Sequence, residues 1–292
     1  MVNNMKYIIK NKHIEATIDS YGAQLIKLKT ADGLDRLHNP NPQTWNEVSP
    51  ILFPQVSRMR DYTYQVDGKK YNMPLHGFLK KMELDVVNQN EESITFYLKE
   101  NEETLMMFPY QFEIFITYEL IDNSLKVSFK VNNTGKTTLR YMLGGHPGFK
   151  VPLYENEDYE DYYLKFPFKE TVDAMQVVDG FLANVYKPCL NDEDIISLRH
   201  DLFVPDAIVM RGLKSPFVDL MSKSNDKIIR FHFSDFEILA IWSLNNTKAN
   251  YVCLEPWNGI QKDFEIEHEK MGVLTLESNE SKTYSYTFEI IR

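Results

Sequence analysis

The stretch Gln111-Phe112-Glu113-Ile114-Phe115-Ile116-Thr117-Tyr118-Glu119 decides the fold class. Phe112, Ile114, Ile116 and Tyr118 fall on one side of an extended chain. Gln111, Glu113, Thr117 and Glu119 fall on the other, with Phe115 the exception. This two-residue period marks a half-buried strand, because successive side chains of extended backbone point to opposite faces. After the turn-forming pair Asp122-Asn123 the alternation resumes, with Leu125, Val127, Phe129 and Val131 set against Ser124, Lys126, Ser128 and Lys130. Two such runs across a short turn predict consecutive antiparallel strands.

The same device recurs outward from this pair. At the C-terminus Tyr284, Tyr286, Phe288 and Ile290 alternate with Thr283, Ser285, Thr287 and Glu289. Strand-like runs also cover Met5–Lys10, Ile14–Ile18, Tyr62–Val66, Ser93–Lys99, Ala207–Arg211, Lys227–Phe233 and Phe236–Trp242. Helical periodicity is scarce: Glu102–Phe108 and Gln43–Val48, after Pro42, are the two short candidates, and the charged Glu155–Asp161 reads as a surface loop. Strands and helices do not alternate, which excludes a parallel α/β sheet. Neither a linker-like tract nor a repeat divides the chain. The expectation is all-β: one large antiparallel β-sandwich domain over residues 1–292, with a few short helices and with its chemistry on long loops.

Composition bounds the partners. The 292 residues are 43% apolar and 25% charged, enough for a sizeable core. With 32 basic and 42 acidic residues the net charge is −10. Such a balance argues against nucleic acid, whose non-specific binding relies on Lys/Arg excess, while leaving room for a local cationic pocket. Only Cys189 and Cys253 are present, too few for a disulfide scaffold. No apolar run has the length of a signal peptide core or a bilayer span, so a reducing cytoplasm and no membrane are expected. Aromatic residues reach 13%, an excess that suits strands and also sugar sites.

Phosphate-loop, dinucleotide-binding, serine-elbow and zinc-helix signatures are all absent, and the seven histidines are too dispersed to supply a close metal-ligand pair. No metal or cofactor is expected. What stands out is a set of ionisable residues in unusual settings. His146 lies in Gly144-Gly145-His146-Pro147-Gly148-Phe149, after strand-like Thr138–Leu143, where glycines allow close approach or positive φ. An ordinary hydrogen-bonded turn explains it equally well. His76, in Met73-Pro74-Leu75-His76-Gly77-Phe78, reads on spacing alone as a turn histidine. His232 reads as structural, and His13, His38, His200 and His268 have no distinguishing context. Glu255 ends the apolar run Tyr251–Leu254 and precedes Pro256-Trp257, an odd way to build a solvated strand end. Burial there would tune a general base. Arg58 closes the segment Pro50–Arg58 with donors suited to hydroxyls or an anion, whereas Arg60 suits a solvated turn. Asp206, between Pro205 and an apolar strand, is either a surface strand start or an acceptor for sugar hydroxyls.

In their order along the chain, Pro50–Arg58, Pro74–Phe78, Gly144–Phe149, Phe203–Ala207, Ile238–Trp242 and Cys253–Gly259 resemble the aldose 1-epimerase (galactose mutarotase-like) family, in its LacX-like branch. The resemblance implies a β-supersandwich and interconversion of sugar anomers without a cofactor. It further implies that His146 is the general acid and Glu255 the general base. Arg58 and His76 would then bind near the ring oxygen and hydroxyls, Asp206 would hold further hydroxyls, and Trp257 and Trp242 would offer apolar faces to the sugar. Leu79-Lys80-Lys81 stands where that branch implies Ala-Arg, so the role of an arginine there does not carry over, and Arg58, Arg60, Lys80 and Lys81 stay open as partners for a hydroxyl network or a phosphate. Two other readings compete: a non-catalytic sugar-binding or sensor protein, and a glycoside hydrolase. The hydrolase would need a second carboxylate, Asp206, and would leave His146 unexplained.

Overall fold

The computed structural model describes residues 4–178, 180–224, 228–245, 247–260 and 272–291. His268 and Lys227 fall outside them. The strands predicted from alternation form where the pattern places them. Phe112–Ile121 and Ser124–Asn133 pair antiparallel, with Phe129 opposite Ile116 on one side and opposite Tyr284 of strand Ser281–Ile291 on the other. Their inward residues, among them Ile114, Ile116, Tyr118, Val127, Phe129 and Tyr286, are buried in one apolar cluster. Phe115, the exception to the pattern, lies on the outer face and packs on Tyr97 with ring centroids 4.8 Å apart. Other strands agree within a residue or two: Lys6–Lys10, Ile14–Asp19, Thr63–Val66, Ser93–Lys99, Ile208–Arg211, Ile228–His232 and Ile238–Trp242.

Fifteen strands join into one antiparallel sheet, with a three-stranded sheet of Lys6–Lys10, Ile14–Asp19 and Gln24–Thr30 beside it. Ile18, Leu25 and Leu28 of the small sheet enter the common core, and the Tyr118 hydroxyl donates to the Ala23 carbonyl at 2.7 Å. The architecture is all-β and layered, as the two-residue period requires.

Strand Tyr162–Val178 ties one half of the large sheet to the other. Tyr162–Lys165 pair with Asp219–Ser222, while Ala174 and Met175 pair with Met210 and Val209. It also forms a long hairpin with Phe181–Ser197. Neither arm was legible in the sequence, because Pro167, Pro188 and repeated register shifts break the alternation.

Three local expectations change. Glu102–Met107 is helical, with Asn101 and Thr104 forming a reciprocal cap, but Gln43–Val48 is not. There the backbone N–H groups of Val48 and Ser49 donate to the Gln24 side chain (2.7 and 3.2 Å), which ties the end of the segment to the small sheet. Glu155–Asp161 is not simply a surface loop: Glu157 and Tyr159 are buried, and the Glu157 carboxylate accepts from Ser222 Oγ at 2.7 Å and from the Tyr162 hydroxyl. Glu255 does not end its strand. The strand runs Tyr251–Asn258 and is buried throughout, because it is central, flanked on both sides.

Candidate active site

The site grows out of an interruption beside that central strand. On one side Tyr251–Asn258 pairs with Ile238–Trp242, which sets Ala240 opposite Glu255. On the other, Gly144 pairs with Trp257 and Gly148 with Cys253, but Gly145-His146-Pro147 forms no ladder pair with this strand. Carried across the gap, the register brings His146 opposite Glu255. Pro256 tolerates this central position because the Leu254 N–H points toward Pro147 (3.2 Å). Two residues on, the N–H that proline lacks would point to the same side, where the ladder is already open.

The glycines around His146 serve close approach, and none of the three has positive φ. A Cβ on Gly145 would come within 2.6 Å of the Tyr286 ring, and one on Gly148 within 2.6 Å of the Trp45 ring. His146 is thereby pressed between the core and an aromatic wall. Its ring centroid lies 4.8 Å from that of Trp45, 5.6 Å from Trp242 and 5.5 Å from His76.

His146 Nε2 and Glu255 Oε2 are 3.1 Å apart, with 7% and 1% of the residues exposed. Burial drives both toward neutrality. It lowers the His146 pKa well below the usual imidazole value, with His76 and Lys80 adding to the effect. It raises the Glu255 pKa well above the usual carboxyl value, with Asp206 adding and the Trp257 indole opposing. Trp257 Nε1 and Glu255 Oε2 nevertheless lack an aligned hydrogen bond. Two ionisable groups this close titrate as a pair and not independently.

A cavity of ≈ 450 Å³ opens onto this pair, within the range of small-molecule sites. All six residues singled out from the sequence line it: Arg58, His76, His146, Asp206, Glu255 and Trp257. Trp242 lines it too, while Arg60 and Lys81 are exposed elsewhere.

His76 has φ +63°, an uncommon conformation for a residue with a side chain. Its N–H donates to the Ser57 carbonyl (3.1 Å), and the Ser57 N–H donates to His76 Nδ1 (3.2 Å). Those reciprocal bonds place the imidazole proton on Nε2 and make His76 a neutral donor. Burial, with Lys80 nearby, pushes its pKa down to about 3. The Arg58 guanidinium sits 4.3 Å over the Phe181 ring at the hairpin tip. Asp206 caps its own strand through the Ala207 N–H at 2.8 Å, and burial raises its pKa while Arg58 opposes the rise.

Sequence reasoning missed Trp45 and Glu47, and offered Lys80 only as one of four cations open to hydroxyls or a phosphate. All three line the cavity. Lys80 Nζ, 9% exposed, meets Glu47 Oε2 at 2.9 Å. Trp45 stacks on His38 with centroids 4.8 Å apart and an interplanar angle of 10°. The short helix expected after Pro42 gave no sign that either residue would line a cavity. Folding also creates a grouping that spacing did not: the ligand-capable atoms of His146, Cys253 and Glu255 lie within 4.8 Å of one another.

Similarity to known proteins points the same way as this geometry. Protein LacX, chromosomal, of Lactococcus lactis subsp. lactis is 35% identical over 269 residues, spanning 88% of this chain and 89% of the relative. The X-ray structure of a galactose mutarotase related enzyme from Lactobacillus acidophilus superposes with a TM-score of 0.93 at 32% identity, covering 99% of this chain and 98% of that one. A galactose mutarotase-like protein from Lactobacillus casei ATCC 334 gives 0.92 at 28% identity, over 98% and 100% of the two chains. The large antiparallel sheet is thus the galactose mutarotase-like fold. The family model for aldose 1-epimerase matches residues 5–289, and the chain belongs to the aldose 1-epimerase family.

Proposed function

We propose that the protein is an aldose 1-epimerase that interconverts the α and β anomers of an aldohexose, free or phosphorylated, within a reducing cytoplasm. The observation that carries this reading is the buried His146–Glu255 pair, 3.1 Å apart and facing a sugar-sized cavity. A hemiacetal ring opens when the anomeric hydroxyl loses a proton and the ring oxygen gains one. With the pair's proton on His146 and Glu255 ionised, Glu255 takes the first proton and His146 supplies the second. Rotation about C1–C2 then presents the other carbonyl face, and the two groups exchange roles as the ring closes.

Binding groups surround the pair at different heights. His76 offers Nε2–H as a neutral donor, Arg58 a cationic one, and Asp206 an acceptor, which suits a ring of vicinal hydroxyls. Trp257, Trp242 and Trp45 supply apolar faces for the C–H surface of the sugar. On this reading the chain works as one β-sandwich domain, since every named group hangs from the same large sheet or a loop joined to it.

Anomer-exchange NMR on pure anomers of galactose, glucose and their 6-phosphates tests the proposal. Catalytic amounts of protein should accelerate equilibration beyond the buffer rate. His146→Asn and Glu255→Gln should each remove on the order of 10²–10⁴-fold of that excess while the protein stays folded. Sugar binding with an unchanged exchange rate would overturn the enzymatic reading in favour of a sensor. Release of reducing sugar from a disaccharide would point to a hydrolase.

A further inference from the structure

The proton transfer proposed for His146 and Glu255 leaves the buried thiol of Cys253 unused. Side chains two apart on a strand share a face, so Cys253 lies beside Glu255 on the buried side of Tyr251–Asn258. There it packs in a cluster with Tyr251, Ala249 and the rings of Trp45 and Trp242. All of Cys253, His146 and Glu255 are buried, and their ligand-capable atoms lie within 4.8 Å of one another.

That arrangement has the make-up of a metal site. Imidazole, thiolate and carboxylate are zinc ligands, and bonds of about 2.0–2.3 Å at tetrahedral angles put ligand atoms roughly 3.3–3.7 Å apart. The 3.1 Å from His146 Nε2 to Glu255 Oε2 is already close to such an edge. Closing the remaining 4.8 Å span calls for a shift of about 1 Å. The polar atoms are also unspent, since Glu255 Oε2, on a residue 1% exposed, and His146 Nδ1 have no aligned hydrogen-bond partner. A buried carboxylate oxygen without a donor is costly, and a cation removes that cost.

Charge selects the ion. Neutral imidazole with thiolate and carboxylate carries two negative charges, which a dication cancels in the buried site. A thiolate ligand favours a borderline-soft ion such as Zn²⁺ or Cd²⁺ over Mg²⁺ or Ca²⁺, which take oxygen ligands. Three protein ligands leave a fourth position, on the side where the cavity opens.

We propose that His146, Cys253 and Glu255 form a binding site for a borderline-soft divalent cation that occupies the acid/base pair in competition with sugar. Ligation displaces to buffer whatever protons the ligand atoms hold. The bound ion therefore blocks proton transfer and acts as an inhibitor. The competition clause rests on the proposed epimerase reading, whereas the binding clause does not.

Cadmium titration of the full chain separates the two. Cd²⁺ should raise a thiolate-to-cadmium charge-transfer absorbance that saturates at one equivalent and is displaced by Zn²⁺. Cys189→Ala should keep the band and Cys253→Ala should lose it. If Cys253→Ala fails to fold, Glu255→Gln retains the thiol and should weaken cadmium binding at least tenfold. In the exchange assay Zn²⁺ should slow anomer equilibration, a chelator should restore it, and Cys253→Ala should need at least tenfold more metal. Absence of the band, or its persistence in Cys253→Ala, overturns the site. Binding with no loss of exchange rate in an active protein overturns the competition. A protein without exchange activity that still binds cadmium through Cys253 would refute the epimerase reading and leave the metal site standing.

Discussion

Burial of the His146–Glu255 pair has consequences at the scale of single residues. His146 is pushed down and Glu255 up, so charging His146 takes a lower pH, and ionising Glu255 a higher pH, than for the free groups. Exchange activity should accordingly follow a bell with a broad flat top across neutrality, readable as rate against pH by NMR. A narrow optimum would contradict a buried pair. Stability carries a matching sign. A carboxyl whose folded pKa is raised stabilises the fold fully only below its unfolded pKa, and the benefit is lost as pH rises toward the folded value. Glu255→Gln, neutral at every pH, should therefore raise the unfolding midpoint relative to the parent. The difference should grow from pH 5 to pH 8, as thermal melts would show. His146 and Glu255 were both legible as odd residues, His146 by its glycines and Glu255 by Pro-Trp. Their opposition was not, because it arises from register across strands distant in sequence.

At the scale of elements, the hairpin of Tyr162–Val178 and Phe181–Ser197 brings its tip against Arg58. Gly180 has φ +78°, and a Cβ there would stand 2.0 Å from Arg58 Nη2. Gly180→Ala should displace the guanidinium from the Phe181 face and lower kcat/KM by roughly 10- to 10²-fold, the scale of loss when a positioning group moves by about an ångström. Circular dichroism should remain that of the parent. An unchanged kcat/KM would mean that Arg58 tolerates displacement and is not a positioning group. Strands with unbroken alternation, such as Phe112–Ile121 and Ser124–Asn133, were readable residue by residue. This hairpin was hidden by two prolines and by bulges, so the sequence contained no sign that Val177, Gly180 and Leu182 line the cavity. Trp45 and Glu47 were hidden differently, in a segment whose shape depends on the Gln24 side chain from another sheet.

For the whole molecule, site and core are mechanically continuous. Gly145 touches the Tyr286 ring, and Tyr286 packs with Phe129, Phe231 and Phe288 in the main apolar cluster. Gly145→Ala should therefore lose stability and exchange activity together, with a destabilisation of about 1–3 kcal/mol in denaturant titration, as overpacking costs. Loss of activity alone would show that the strand break relaxes independently of the core. Among the described residues no helix is long and apolar enough to cross a membrane.

Sequence by itself determined the all-β class and most strand positions, because alternation is local and each period is written in adjacent residues. It also picked out six cavity residues by type and setting, through glycines, prolines and a carboxylate out of place. Tertiary structure alone decided which of them meet. His146 faces Glu255 because one ladder opens and its register continues beyond the gap, and Cys253 joins them because alternate residues of a buried strand share a face. Lys80 acquires a place only when Glu47 arrives from a different segment to pair with it. Local periodicity records which way a side chain points, whereas a constellation depends on distances between segments that no local pattern encodes.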